Sequence, residues 1–166
     1  MSQSSFDSIV RAHGDALSRL AWGYTDNAAD HDDLLQDILV AIWRALPSFR
    51  GESSARTFVF RIARNRGVTF AARRRTHEAL DRDTAIAGIA DPAPGPDEAL
   101  DRAGERARLA AAVRTLPPPQ RDAVLLRLEG CSIQEIAAVQ NVSENNVSVR
   151  LARARERLRE LLGGSA

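Results

Sequence analysis

The chain has 166 residues, room for one medium domain or two small ones, and its 23 basic and 22 acidic side chains nearly cancel to +1. A single cysteine, Cys131, excludes an internal disulfide and a cysteine metal cluster and fits a reducing compartment. Apolar runs such as DILVAIW are too short to span a bilayer and the opening MSQSSFDS lacks a secretory apolar core, so a cytoplasmic protein with no direct membrane insertion is expected.

The small net charge hides a segregation. Residues 1–54 hold 4 Arg against 8 acids, 55–82 hold 8 against 2, 83–113 hold 3 against 6, and 114–166 hold 8 against 6. Acidic and basic blocks alternate, so the near-neutral total does not exclude a nucleic-acid partner. Every Lys-or-Arg position is Arg, a usage that a GC-rich coding sequence explains more readily than a demand for planar phosphate forks.

Apolar residues recur at three- and four-residue steps and no strand alternation survives, so the chain reads as all-α. Phe6, Ile9, Val10, Leu17, Leu20 and Tyr24 line one face of a first helix, and TDNAADHDD supplies a turn and the next N-cap. A second helix turns Leu34, Leu35, Ile38, Leu39, Ile42, Trp43 and Leu46 inward and stops at Pro47. A third runs from about residue 54 to 75, with Phe58, Ile62, Val68 and Phe70 on its apolar side. Three prolines and two glycines then mark residues 77–97 as a linker, dividing the chain into domains at 1–76 and 98–166. Beyond it come EALDRAGERARLAAAVRTL and then PPPQRDAVLLRLEG, where proline suits a first helical turn.

Residues 132–151, SIQEIAAVQNVSENNVSVRL, have the layout of a helix-turn-helix. Ser132 and Glu135 form a capping box, Ile136 and the small Ala137 face inward, and Asn141 takes the left-handed turn position. Ser143 caps a second helix that Val147 and Leu151 anchor. Its outer face carries Glu144, Asn145, Asn146, Ser148, Arg150 and Arg153, residue types that meet base edges and phosphates when such a helix lies in the major groove.

The pieces DDLLQDILVAIWRALPSFRGESSARTFVFRIARNR and LPPPQRDAVLLRLEGCSIQEIAAVQNVSENNVSVRLARARERL, in this order, resemble regions 2 and 4 of the extracytoplasmic-function (ECF) sigma factors of the sigma-70 family. The resemblance implies two helical domains that bind bacterial RNA polymerase core and promoter DNA. Asp33, Gln36 and Asp37 match the face that docks on the polymerase clamp helices. Residues 48–57 match the segment that helps open the minus-ten element and accepts a flipped base, followed by Arg56, Arg61, Arg64, Asn65, Arg66, Arg73, Arg74 and Arg75 along the strand phosphates. Ser143, Asn145, Asn146, Ser148, Arg150 and Arg153 match the reader of the minus-thirty-five element. Phe58 stands where relatives most often have tryptophan, Ser148 where many carry a base, and Gln140 where the residue is often apolar. An anti-sigma factor is a further partner the resemblance offers, although the residues themselves do not select it.

A helix-turn-helix regulator without a sigma role accounts equally well for residues 114–162 but leaves the acidic and arginine-rich helices of the first domain unexplained. An enzyme finds little support. No phosphate-binding loop or nucleophile elbow appears, and His13, His31 and His77 lack metal-ligand spacing. His31, with Asp32 and Asp33, is expected in a solvated first helical turn, and Cys131 is expected to pack as a small apolar residue. No metal, cofactor or catalytic residue is expected.

Overall fold

The computed structural model describes residues 2–81 and 98–163. Helices α1 (Ser2–Trp22), α2 (Ala28–Ala45) and α3 (Ala55–Asp81) form an N-terminal bundle, with a 3-10 turn at Leu46–Ser48 between α2 and α3. Helices α4 (Glu98–Thr115), α5 (Pro118–Leu128), α6 (Ile133–Gln140) and α7 (Glu144–Leu162) form a C-terminal one. Among the described residues there is no strand, as the periodicity requires.

Local signals start and stop these helices. The Asn27 side chain accepts from the Asp30 N–H at 2.9 Å and caps α2, and Pro118 opens α5 where its missing N–H costs nothing. Ser132 accepts from the Glu135 N–H while its own N–H donates to Glu135 Oε2 at 2.7 Å, completing the capping box of α6. Asn141 ends α6 at φ 55°, and Ser143 accepts from the Asn146 N–H to start α7.

In the N-terminal bundle, Leu17, Leu20, Leu34, Ile38, Ile42, Val59 and Phe60 are buried together. The seam of α3 differs from the sequence expectation. Thr57, Val59, Phe60, Ala63, Gly67 and Ala71 are buried, while Phe58, Ile62, Val68 and Phe70 flank the core half-buried. Small residues at three- and four-residue steps let α3 approach its neighbours closely; at Gly67 a Cβ would collide with the Tyr24 ring. Phe58 instead stacks on Phe49 with centroids 4.5 Å apart. Trp43, expected inward, is 53% exposed.

Helix α3 also continues to Asp81, five residues into the segment expected to be linker. Thr76, His77, Glu78, Ala79 and Leu80 contain no breaker, and Glu78 lies one turn from Arg74, at 3.9 Å. The remainder of that segment, 82–97, lies outside the described residues.

The two bundles are packed against each other. Buried residues of both belong to one continuous apolar cluster, in which Leu125 and Cys131 join Tyr24, Phe60 and Ala63. Leu125 lies against Gly23, where any Cβ would strike its methyl groups. This contact places α5 and α6 on the arginine-rich face of α3.

Candidate nucleic-acid interface

Three surfaces carry the residues singled out above. The first is the outer face of α2, where Asp33, Gln36 and Asp37 are exposed beside Val40 and Trp43. Arg66 approaches Asp37 at 3.8 Å with both side chains about half exposed, a contact worth well under 1 kcal/mol. His31, on the other side of α2, is buried, contrary to the solvated turn expected. It stacks on Trp22 at 4.1 Å, and its Nε2 meets the Ser18 carbonyl while Nδ1 meets Asp32.

The second surface runs from residues 48–57 along α3. Gly51, at φ 74°, makes a turn that other residues adopt only with strain. Ser48, Phe49, Arg50, Glu52, Ser53, Phe58 and Arg61 line a cavity of about 480 Å³ there. Asn65, Arg66, Arg73 and Arg75 are exposed on α3, and Arg74 is tied to Asp30 at 3.0 Å.

The remaining three arginines of this track reach into the C-terminal bundle. Arg56 donates through Nη2 to the Glu129 carbonyl and lies 3.6 Å from Cys131 Sγ. Arg61 donates to the Ala138 carbonyl at 2.9 Å. These carbonyls sit at the C-terminal ends of α5 and α6, where helices leave acceptors unpaired and favour a cation. Arg64 Nε donates to Asp122 Oδ2 at 2.9 Å, and the Tyr24 hydroxyl donates to Oδ1 at 2.8 Å. Asp122 has no exposed surface, and Arg121 lies over the Tyr24 ring at 4.9 Å. Burial, then the neighbouring Asp122 carboxylate, hold the Tyr24 hydroxyl well above its ordinary pKa. Arg19 adds a fork to Glu129, with both bonds at 2.9 Å.

The sequence reading passed over Tyr24, Asp122, Arg19 and Glu129 as site residues. One signal was available: Asp122 interrupts the apolar stripe of α5 beside Ala123, Leu125 and Leu126, and a carboxylate in such a register needs a buried partner. Cys131 is buried as expected, and that burial raises its thiol pKa despite Arg56, which keeps it a thiol at neutral pH.

The third surface is the N-terminal half of α7. Asn145, Asn146, Ser148 and Arg153 are exposed, Ser143 is spent on its cap, and Ser148 donates to the Glu144 carbonyl. Arg150 is half-buried and donates to Gln140 Oε1 at 3.1 Å; Gln140, buried, donates in turn to the Pro119 carbonyl. That pairing explains how a polar residue fits at position 140 and draws Arg150 toward the core.

Among the described residues no group of three or more His, Cys, Asp or Glu side chains is placed to hold a metal ion, and no helix is long and apolar enough to cross a membrane. A helix-turn-helix and an arginine-faced helix on two packed bundles define a DNA-binding transcription protein. The chain matches the sigma-70 region 2 family over residues 9–77 and the sigma-70 region 4 family over residues 106–158. It is 33% identical to the RNA polymerase sigma factor CnrH of Cupriavidus metallidurans, across 96% of this chain and 87% of that one. It is also 33% identical to the ECF RNA polymerase sigma factor SigM of Mycobacterium tuberculosis, across 96% and 78%. Its fold is similar to that of the sigma factor RpoE of Bartonella quintana in complex with the anti-sigma factor NepR, with a TM-score of 0.72, 26% identity and coverage of 98% and 99%. The chain belongs to the ECF sigma factors of the sigma-70 family, the polymerase subunits that direct transcription to promoters.

Proposed function

We propose that this sigma factor divides its work between its bundles, with residues 1–76 acting as region 2 and 98–166 as region 4. Asp33, Gln36 and Asp37, together with exposed Val40 and Trp43, dock on the clamp helices of core polymerase. The acidic side chains meet a basic partner surface and the two apolar ones supply contact area. The 48–57 loop with its cavity accepts an unstacked base of the minus-ten element, and the α3 track Arg56, Arg61, Arg64, Asn65, Arg66, Arg73, Arg74 and Arg75 follows the strand phosphates. Ser143, Asn145, Asn146, Ser148, Arg150 and Arg153 serve the minus-thirty-five element, with Asn145, Asn146 and Arg153 meeting the groove directly and Arg150 shaping the helix through Gln140. The chain acts as a cytoplasmic, non-enzymatic subunit, and an anti-sigma factor is its expected inhibitor.

The observation that carries this reading is the α2 face: an acidic, apolar-tipped surface in the same bundle as the arginine helix, which a simple helix-turn-helix regulator does not need. Adding the chain to core polymerase stripped of sigma, on fragments of the source genome, is expected to yield transcripts from discrete start sites that share an upstream motif. A regulator without a sigma role yields none, and that result overturns the proposal.

A further inference from the structure

The contacts between the two bundles divide the candidate surfaces unequally. Arg56, Arg61 and Arg64, the three arginines of the α3 track nearest the 48–57 loop, hydrogen-bond to Glu129, Ala138 and Asp122 of the C-terminal bundle. Asp33, Gln36 and Asp37 on α2 stay exposed, as do Asn145, Asn146 and Arg153 on α7.

Asp122 is the centre of the contact. Both of its hydrogen bonds come from the other bundle, from Tyr24 and Arg64; within its own bundle it has only Arg121, at 3.9 Å. A fully buried carboxylate adds nothing to its own bundle that an apolar residue of similar size would not, and its use is to specify what it pairs with. The pairing is also incompletely satisfied. Arg121 is 5% exposed, and its Nε and Nη2 have no hydrogen-bond partner, so separation of the bundles hydrates groups that closure leaves short of acceptors. A contact built in this way is specific and shallow.

We infer that this chain latches itself: its C-terminal bundle docks on the promoter-strand face of α3 with Asp122 as the latch, giving a closed state that binds polymerase through α2 but does not hold the minus-ten strand until the latch opens. The inference rests on the surface assignments proposed above. The fold is similar over nearly its whole length to that of a sigma factor in complex with an anti-sigma factor, and the contacts that close the two bundles here lie within one chain. The observed strand affinity is then the intrinsic affinity multiplied by the fraction of molecules that are open. An inhibitor or the polymerase acts by shifting that fraction.

Two substitutions open the latch without touching a candidate DNA or polymerase residue. Asp122→Ala strands Tyr24 and Arg64 in the closed state only. Gly23→Leu places a side chain where Leu125 now lies and wedges the bundles apart. The full-length wild type and both variants are compared by small-angle X-ray scattering, by binding of a fluorescein-labelled mixed-sequence single-stranded 30-mer over a salt series, and by binding to core polymerase. A compact wild type is expected, with expansion and at least tenfold tighter strand binding in both variants. Three freed arginines steepen the slope of log affinity against log salt by roughly 2. Core binding stays within about twofold of wild type. If Asp122→Ala loses its helical circular dichroism signal, Gly23→Leu decides.

An extended wild type, or variants that expand without binding the strand more tightly, overturns the latch. Core binding that rises tenfold in both variants overturns the claim that the closed state leaves α2 free. Failure of all three proteins to bind core sinks the functional assignment, while scattering and strand binding still report on the latch.

Discussion

Arginines are spaced along α3 and α7 in a similar way, yet the two helices present them to different surroundings. On α7, Arg153, Arg155, Arg157 and Arg159 are exposed. On α3, Arg56 and Arg61 cover the carbonyl ends of α5 and α6, and Arg64 meets a buried carboxylate. The side chains are chemically identical; what differs is the supply of acceptors. Two helix C-termini and Asp122 converge on the first half of α3, whereas among the described residues Arg153, Arg155, Arg157 and Arg159 of α7 meet no such acceptor. Fixed acceptors compete with phosphate for the same N–H groups, so an arginine count describes a DNA-binding surface only after internal partners have been subtracted.

Arg64→Ala breaks this comparison most severely. It removes one of two hydrogen-bond partners of a carboxylate with no exposed surface, and breaking a buried pair in this way costs about 3–5 kcal/mol. Scanning calorimetry is expected to show a lower melting temperature for the packed pair of bundles. Unlike Asp122→Ala, this variant opens the chain with a smaller gain in strand affinity, because the freed surface keeps Arg56 and Arg61 but has lost one of its own cations. Tighter strand binding by Arg64→Ala than by Asp122→Ala removes Arg64 from the DNA track.

Arg153→Ala sharpens the other side of the comparison. Arg153 is exposed and has no internal partner among the described residues, so its removal leaves the melting temperature unchanged within about 0.5 kcal/mol of stability. Promoter affinity measured with holoenzyme is expected to fall by about 1–3 kcal/mol if the residue reads a base edge, with relaxed preference at one position of the upstream element. A uniform loss across sequences assigns Arg153 to phosphate instead.

What the sequence discloses follows the range of the interactions involved. The capping box of Ser132 and Glu135, the left-handed Asn141 and the cap at Ser143 each involve residues within a few positions of one another, and each is present as read. The all-α fold followed from periodicity for the same reason. The register of α3 was misjudged because large apolar side chains outweigh small ones in any hydrophobic reading, while close helix packing selects Ala63, Gly67 and Ala71. The same weighting places Trp43 inward, whereas it is exposed beside Val40. Tyr24 and Asp122 are 98 residues apart and Arg64 and Asp122 are 58 apart, so the bonds joining the bundles left only the misplaced acid in α5 as a trace.

Tyr24 carries the smallest of the expected effects and isolates a single bond. Replacing it by Phe keeps the ring under Arg121 and removes one buried hydrogen bond to a charged acceptor, worth about 1.5 kcal/mol at neutral pH. The hydroxyl pKa is raised in the closed state by burial and by Asp122, so the stability it contributes is complete below the ordinary tyrosine value near 10 and is lost as pH rises through the higher folded value. Tyr24 is the single tyrosine of the chain, which lets tyrosinate absorbance follow this hydroxyl alone. In wild type the absorbance is expected to appear well above pH 10, together with opening of the bundles. In Asp122→Ala it appears closer to the ordinary value, because opening ends much of the burial that raises it and the neighbouring charge and bond are gone as well. Coincident titrations in the two proteins indicate that Tyr24 does not face Asp122 in solution, and the difference between the two arginine helices then needs another cause.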